Sequence, residues 1–154
     1  MEAGHPREKL AFLKTWVLDT SPIVAYLDAD DLSHALVVEA FNGFAGEFVT
    51  TSAVVGETMY FVSALHGGPE SFVAFLESSR TKVVDYCQPN ELKSAVRLMQ
   101  KYADTPMDFA DATLILLGDA MRLTKICTLD RRGFSTYRTA SGKRFHLVLE
   151  DFAT

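Results

Sequence analysis

Short apolar, β-favouring runs that alternate with longer helical patterns predict an α/β fold, a three-layer α/β/α sandwich around a mostly parallel central sheet of about five strands. Two further observations support it. The 154 residues, 48% of them hydrophobic and 23% charged, suffice for one core without disulfide or metal staples. No repeat, low-complexity tract or Pro/Gly-rich linker divides the chain, so a polar N-terminal extension over residues 1–15 is expected to lead into a single domain over 16–154.

The first strand is expected at Trp16–Thr20, where Trp16-Val17-Leu18 is continuously apolar, as in a strand buried on both faces. Helices over Pro22–Leu27 and Leu32–Gly43 follow, then a second strand at Phe48–Thr51. Thr51-Ser52 reads as the start of a helix over Ala53–Leu65, with Val54, Val55, Tyr60, Phe61 and Val62 supplying its apolar content. A helix over Glu70–Ser78 precedes the third strand, Lys82–Tyr86, and Asn90–Tyr102 is helical again. Thr105-Pro106-Met107-Asp108 offers a threonine N-cap, proline at the first helical position and an acid at the third, which starts a helix over Pro106–Met121. Lys125–Leu129 and Phe145–Leu149 complete the sheet.

Four acids stand beside these core-forming segments. Asp19 and Asp130 each close a strand at its carboxyl end, the edge where open α/β sheets bind ligands. Asp111 lies among Ala110, Ala112, Leu114 and Ile115, one turn beyond Asp108, and helix capping does not account for it. Asp108 itself has an ordinary role at a helix start. Glu57, taken alone, reads as the polar side of its helix, and only the company of the aspartates makes it a candidate. Ionised carboxylates are costly to bury unless paired, hydrogen-bonded or metal-bound, so the set points to a shared pocket for a hard cation. Thr20, Ser21 and Thr128 place hydroxyls beside Asp19 and Asp130, for turn chemistry or for orienting a carboxylate.

The formal charge of -5 argues against indiscriminate nucleic-acid binding, but its distribution is uneven. Between Lys125 and Arg144, six basic residues (Lys125, Arg131, Arg132, Arg138, Lys143, Arg144) face one acid, Asp130. This segment is either a solvated face or a basic rim guiding a polyanion toward the acids. Cys87 and Cys127 match no metal or disulfide spacing, and a reduced cytoplasmic setting is expected. No apolar run is long enough to span a bilayer. His5, His34, His66 and His146 lack zinc spacing, and Asp28-Ala29-Asp30-Asp31 lacks the EF-hand glycine and glutamate. Nucleotide-loop and serine-hydrolase motifs are absent.

Val17-Leu18-Asp19-Thr20-Ser21, Glu57, Asp108-Phe109-Ala110-Asp111-Ala112 and Thr128-Leu129-Asp130-Arg131-Arg132-Gly133-Phe134 together resemble the successive motifs of PIN-domain nucleases, and within them the VapC-type toxin ribonucleases. The resemblance runs from about Trp16 to Phe152. It implies a PIN-like fold and Mg²⁺- or Mn²⁺-dependent hydrolysis of RNA. Asp19, Glu57, Asp111 and Asp130 take the catalytic positions, with Asp19, Asp111 and Asp130 as metal ligands. Asp108 and Thr128 are auxiliary, and Arg131, Arg132 and Arg138 are candidate RNA contacts. It also implies an antitoxin protein partner and a homodimer, with the aromatics Phe41, Phe44, Phe72, Phe75, Tyr60 and Phe61 serving either a partner groove or the core. The alternatives are a catalytically inactive PIN-like binding module and an aspartyl-nucleophile phosphatase, the latter disfavoured because Ser21 stands where a second aspartate is needed.

Overall fold

The computed structural model describes residues 14–153, so most of the expected extension over 1–15 lies outside the described residues. Five strands form one sheet: β1 (Thr15–Leu18), β2 (Glu47–Thr51), β3 (Lys82–Val84), β4 (Lys125–Cys127) and β5 (His146–Leu147). Their order is β3-β2-β1-β4-β5 and every pair is parallel. Seven α-helices flank the sheet among the described residues: α1 (Thr20–Leu27), α2 (His34–Asn42), α3 (Ser52–Val62), α4 (Gly68–Ser79), α5 (Pro89–Lys101), α6 (Phe109–Met121) and α7 (Arg131–Thr136). A 3-10 turn over Val148–Asp151 follows β5.

β1 is the central strand, and all four of its residues are buried. Val17 pairs with Val49 on one side and Ile126 on the other. Two-sided pairing and two-sided packing are why its sequence is apolar without alternation. From β1 the chain adds β2 and β3 in one direction, then returns to place β4 on the opposite side. The order therefore reverses between β1 and β4, which opens a crevice beyond their carboxyl ends.

Behind β1 an aromatic cluster fills the space between sheet and helices. Trp16 stacks on Phe44 with ring centres 3.8 Å apart, and Phe48 lies 4.9 to 6.2 Å from Phe41, Phe44, Phe75 and Trp16. Phe72 is fully buried. Of the aromatics considered for a partner groove, Phe41, Phe44, Phe72 and Phe75 thus serve the core, while Tyr60 and Phe61 remain 77% and 50% exposed.

The expected elements are found, with corrected ends. Thr20 leaves the first strand to open α1, because the Asp19 carboxylate caps its amide. The expected helix start at Pro106 is displaced: α6 begins at Phe109 with Asp108 as the N-cap. The Pro106 carbonyl is taken by the Tyr137 hydroxyl at 2.7 Å, and the reciprocal bonds between Asp108 and Asp111 form a better cap than Thr105 offers. α7 and the 3-10 turn were not expected; each is too short to show a helical period.

Phe48→Ala should lower the unfolding free energy by roughly 3–5 kcal/mol, as for other buried aromatic truncations. Urea denaturation followed by tryptophan fluorescence measures it, since Trp16 belongs to the same cluster. A loss below about 1 kcal/mol would show that the cluster does not anchor the sheet.

Candidate active site

Asp19 follows β1 at the mouth of the crevice and is only 5% exposed. Both of its oxygens are engaged: Thr20 N donates to Oδ1 and Thr128 Oγ1 donates to Oδ2, each at 2.7 Å. Thr128 in turn accepts from the Asp130 amide at 3.0 Å. Ser21 Oγ accepts from Leu129 N at 3.1 Å, and Asp19 N donates to the Cys127 carbonyl at 3.0 Å. These bonds stitch β1 and α1 to the segment after β4 and fix where both acids stand.

The remaining acids arrive on helices. Asp130 caps α7 through Gly133 N at 3.0 Å. Any side chain at Gly133 would collide with the Asp130 carboxylate and crowd Tyr137, so the cap requires glycine. On α6, Asp108 Oδ1 accepts from Asp111 N at 2.8 Å and Asp111 Oδ2 accepts from Asp108 N at 3.2 Å. The expectation that capping does not account for Asp111 is therefore corrected: it is half of a capping box. The N-terminus of α6 is held by Tyr137 on Pro106 and by Thr51, whose hydroxyl meets that of Thr113 at 2.8 Å. Glu57 projects from the middle of α3.

All of these acids line one cavity of about 380 Å³. Asp19, Glu57, Asp108, Asp111 and Asp130 meet there with Asp31, and among the described residues no basic side chain lines it. Asp31 escapes sequence reasoning because its segment reads as turn chemistry, and its Oδ1 does accept from Ser33 N at 2.8 Å. Only the fold brings it near Asp19. Phe61 forms part of the rim.

Electrostatics records this crowding. Burial pushes the Asp19 pKa from 3.8 up to about 6, against the lowering effect of its bonds to Thr128 and Thr20, and the charges of Glu57 and Asp108 add to the rise. Asp111 is pushed up to about 8, first by burial and then by the charges of Asp108 and Asp19. Glu57 is raised by burial and by Asp108. Burial and then Asp111 and Asp130 push the Tyr137 phenol up as well. The Thr20 hydroxyl lies near enough to Glu57 to counter part of that acid's rise. Among the described residues it makes no hydrogen bond of good geometry, however, and it lies buried on the cavity wall.

An all-oxygen donor set, too many negative charges and an orphaned hydroxyl fit a hard divalent cation. Among the described residues no three His, Cys, Asp or Glu side chains are gathered closely enough to hold an ion by themselves.

The basic segment divides between the two edges of the sheet. Arg131 and Arg132 are exposed at the start of α7, on the edge that carries the cavity. Lys125, Lys143 and Arg144 lie at the amino ends of β4 and β5, the opposite edge. Arg138 pairs with Arg144 in an antiparallel bridge and donates Nη1 to the carbonyls of Ser135, Thr136 and Tyr137. Its guanidinium closes the end of α7.

Residues 16–139 match the sequence pattern of the family described as PIN domain. The chain is 34% identical over 133 residues to Ribonuclease VapC26 of Mycobacterium tuberculosis, covering 86% of this chain and 98% of that protein. Its fold is similar to the crystal structure of M. tuberculosis VapC20, described as a sarcin–ricin loop cleaving toxin, with a TM-score of 0.67. That likeness spans 75% of this chain and 89% of the other at 19% identity, which carries the fold alone.

The Asp19 shift has a thermodynamic consequence. Its folded pKa of about 6 exceeds the ordinary 3.8, so its relative stabilisation is complete below pH 3.8 and is lost as pH rises through 6. The full loss is roughly 3 kcal/mol. In a chelator, the stability of wild type relative to Asp19→Asn should fall by about that amount between pH 4 and pH 8. A difference that stays flat over this range would show that Asp19 is not buried as a charge.

Proposed function

The chain belongs to the PIN-domain family, and from that premise we propose that it is a divalent-metal-dependent endoribonuclease, the toxin of a toxin–antitoxin pair. The observation that carries this reading is the buried Asp19 at the strand-order reversal, with Glu57, Asp111 and Asp130 around the same cavity. Asp19 and Asp111 would hold the cation, Mg²⁺ or Mn²⁺, directly and Asp130 through a bound water, and when bound it would supply the positive charge that offsets the acids and polarises the scissile phosphate.

The protein's own groups do the rest. Thr128 holds Asp19 in one rotamer, and the capping bonds of Asp111 and Asp130 hold theirs. Glu57, whose carboxyl is raised above its ordinary range by burial and by Asp108 and so is a stronger base than a free glutamate, would take a proton from the attacking water. The water oxygen bonds to phosphorus, its proton passes to Glu57, and one P–O ester bond breaks with its electron pair on the departing oxygen. Asp108 supports Asp111 as the other half of the capping box. Arg131 and Arg132, on the same edge, contact the RNA beside the cut, Arg132 as a phosphate neutraliser, whereas Arg138 is occupied in capping α7. Ser21 spends its hydroxyl on Leu129 N, which lends no support to an aspartyl-phosphatase alternative.

The nuclease domain extends over 16–154, preceded by the 1–15 extension, and acts in the cytoplasm. No helix among the described residues is long and apolar enough to cross a membrane. Exposed Tyr60, Val73, Val83, Leu92 and Val96 are compatible with coverage by a second copy and by an antitoxin protein.

Purified protein should cut single-stranded RNA with Mg²⁺ or Mn²⁺ and stop when EDTA is added. Asp19→Asn and Asp111→Asn should remove detectable cleavage, and Glu57→Gln should slow it by roughly a hundredfold or more, with circular dichroism unchanged. Wild-type rates in either aspartate variant would overturn the assignment. Gly133→Ala should displace Asp130 and lower the rate by roughly ten- to a hundredfold in a protein that still melts cooperatively. An unchanged rate would remove Asp130 from the machinery.

A further inference from the structure

A second hollow of about 250 Å³ lies on the other side of Leu129 from the acidic cavity. Leu129 lines both, and Thr128, which holds Asp19, lines the hollow. Its walls are apolar: Leu36 of α2, Leu129 after β4, and Leu149 of the 3-10 turn. At its rim Arg131 Nε donates to Glu150 Oε1 at 3.0 Å, with the two side chains 71% and 49% exposed. An ion pair that wet adds little to stability. Only one of the five guanidinium N–H donors is used in that contact, and the carboxylate keeps acceptor capacity.

We propose that this hollow receives one unstacked base of the RNA, from a nucleotide next to the scissile phosphate, and that the Arg131–Glu150 pair reads its edge. The proposal rests on the ribonuclease reading above. The hollow is smaller than the roughly 300–1,000 Å³ typical of drug-sized ligand sites, which suits a single planar ring system. Sequence-specific recognition of single-stranded RNA works this way: bases splay out of the stack, pack against flat side chains and present their edges to polar groups. Here the leucine walls supply apolar packing, the Arg131 guanidinium supplies a planar surface, and Arg131 and Glu150 supply a donor and an acceptor at the mouth. Its place beside the acids follows from the chain, because the same three-residue segment, Thr128-Leu129-Asp130, serves both cavities. A phosphate at the acids therefore has a neighbouring nucleotide within reach of the hollow. Glu150 and Leu36 touch no acid of the reaction centre, so they can set sequence preference without taking part in hydrolysis.

Sequencing the product ends from a randomised single-stranded RNA pool, cut by the full chain with Mg²⁺, tests this. Wild type should prefer particular bases at one position beside the cut. Glu150→Gln should relax or alter that preference by roughly tenfold, as expected for loss of an edge contact, and leave other positions unchanged. Leu36→Trp, which fills the slot, should abolish the preference at the same position. Glu150→Gln is isosteric and exposed, so it decides the matter even if Leu36→Trp fails to fold. Identical base profiles in wild type and Glu150→Gln would overturn the proposal, as would a wild type that cuts without preference. A wild type that cuts no RNA would overturn the ribonuclease reading along with it.

Discussion

The hydrogen bond from Thr128 to Asp19 is the contact on which the rest of the site depends. It joins the carboxyl ends of β1 and β4 where the strand order reverses. Elsewhere in the sheet a carboxylate at a strand end would meet packed neighbours or bulk water. Here the crevice lets it be buried and still face a cavity. The same hydroxyl also accepts from the Asp130 amide, so two acids from opposite ends of the chain are placed by one threonine.

The acids have two employments, and magnitudes show which prevails. Asp19, Asp108 and Asp130 each cap a helix, and a carboxylate at a helix start gains roughly 0.3–1 kcal/mol from the dipole at exposed sites. Two like charges about 4 Å apart repel by roughly 4 kcal/mol at an effective dielectric near 20. For Asp19 and Asp111 burial is the larger penalty, and this repulsion adds to it. Capping therefore positions the carboxylates without relieving them, which is why Asp19 and Asp111 remain raised despite their hydrogen bonds. Their structural and chemical roles are compatible because a carboxylate offers about four lone-pair sites and a cap uses one.

Much of this was legible in the chain, and what was not had identifiable causes. The number and order of strands, and the candidates Asp19 and Asp130, are legible in local apolar runs that run up to an acid, while Asp111 stands out among apolar helix neighbours. The start of α6 could not, because the competing claim on Pro106 comes from Tyr137, remote in sequence. Asp111 was taken as free of capping because the expected cap lay three residues too early. Asp31 was invisible for the same reason that Glu57 was uncertain: each depends on which helix faces which. The basic segment looked continuous along the chain, yet strand β4 carries its residues to opposite edges of the sheet, and only Arg131 and Arg132 stay beside the acids.

Because Asp19, Asp108, Asp111 and Asp130 all sit in or before the first turn of a helix, the geometry of the site is the geometry of helix docking. Two buried or partly buried polar contacts dock the N-terminal part of α6, Thr51 with Thr113 and Tyr137 with the Pro106 carbonyl just before it, while at the exposed far end Asp119 accepts from Ala140 N. Helices packed only by apolar surfaces tolerate small slides, since dispersion and burial are not directional. A hydrogen bond loses most of its strength with modest misalignment, so these two contacts fix α6 along its axis in a way that leucine packing cannot. The aromatic cluster behind β1 supplies stability and the polar bonds supply position. Tolerance to substitution should therefore differ sharply between the two, with volume-conserving changes in the cluster mattering less than loss of a single hydroxyl at Thr113 or Tyr137.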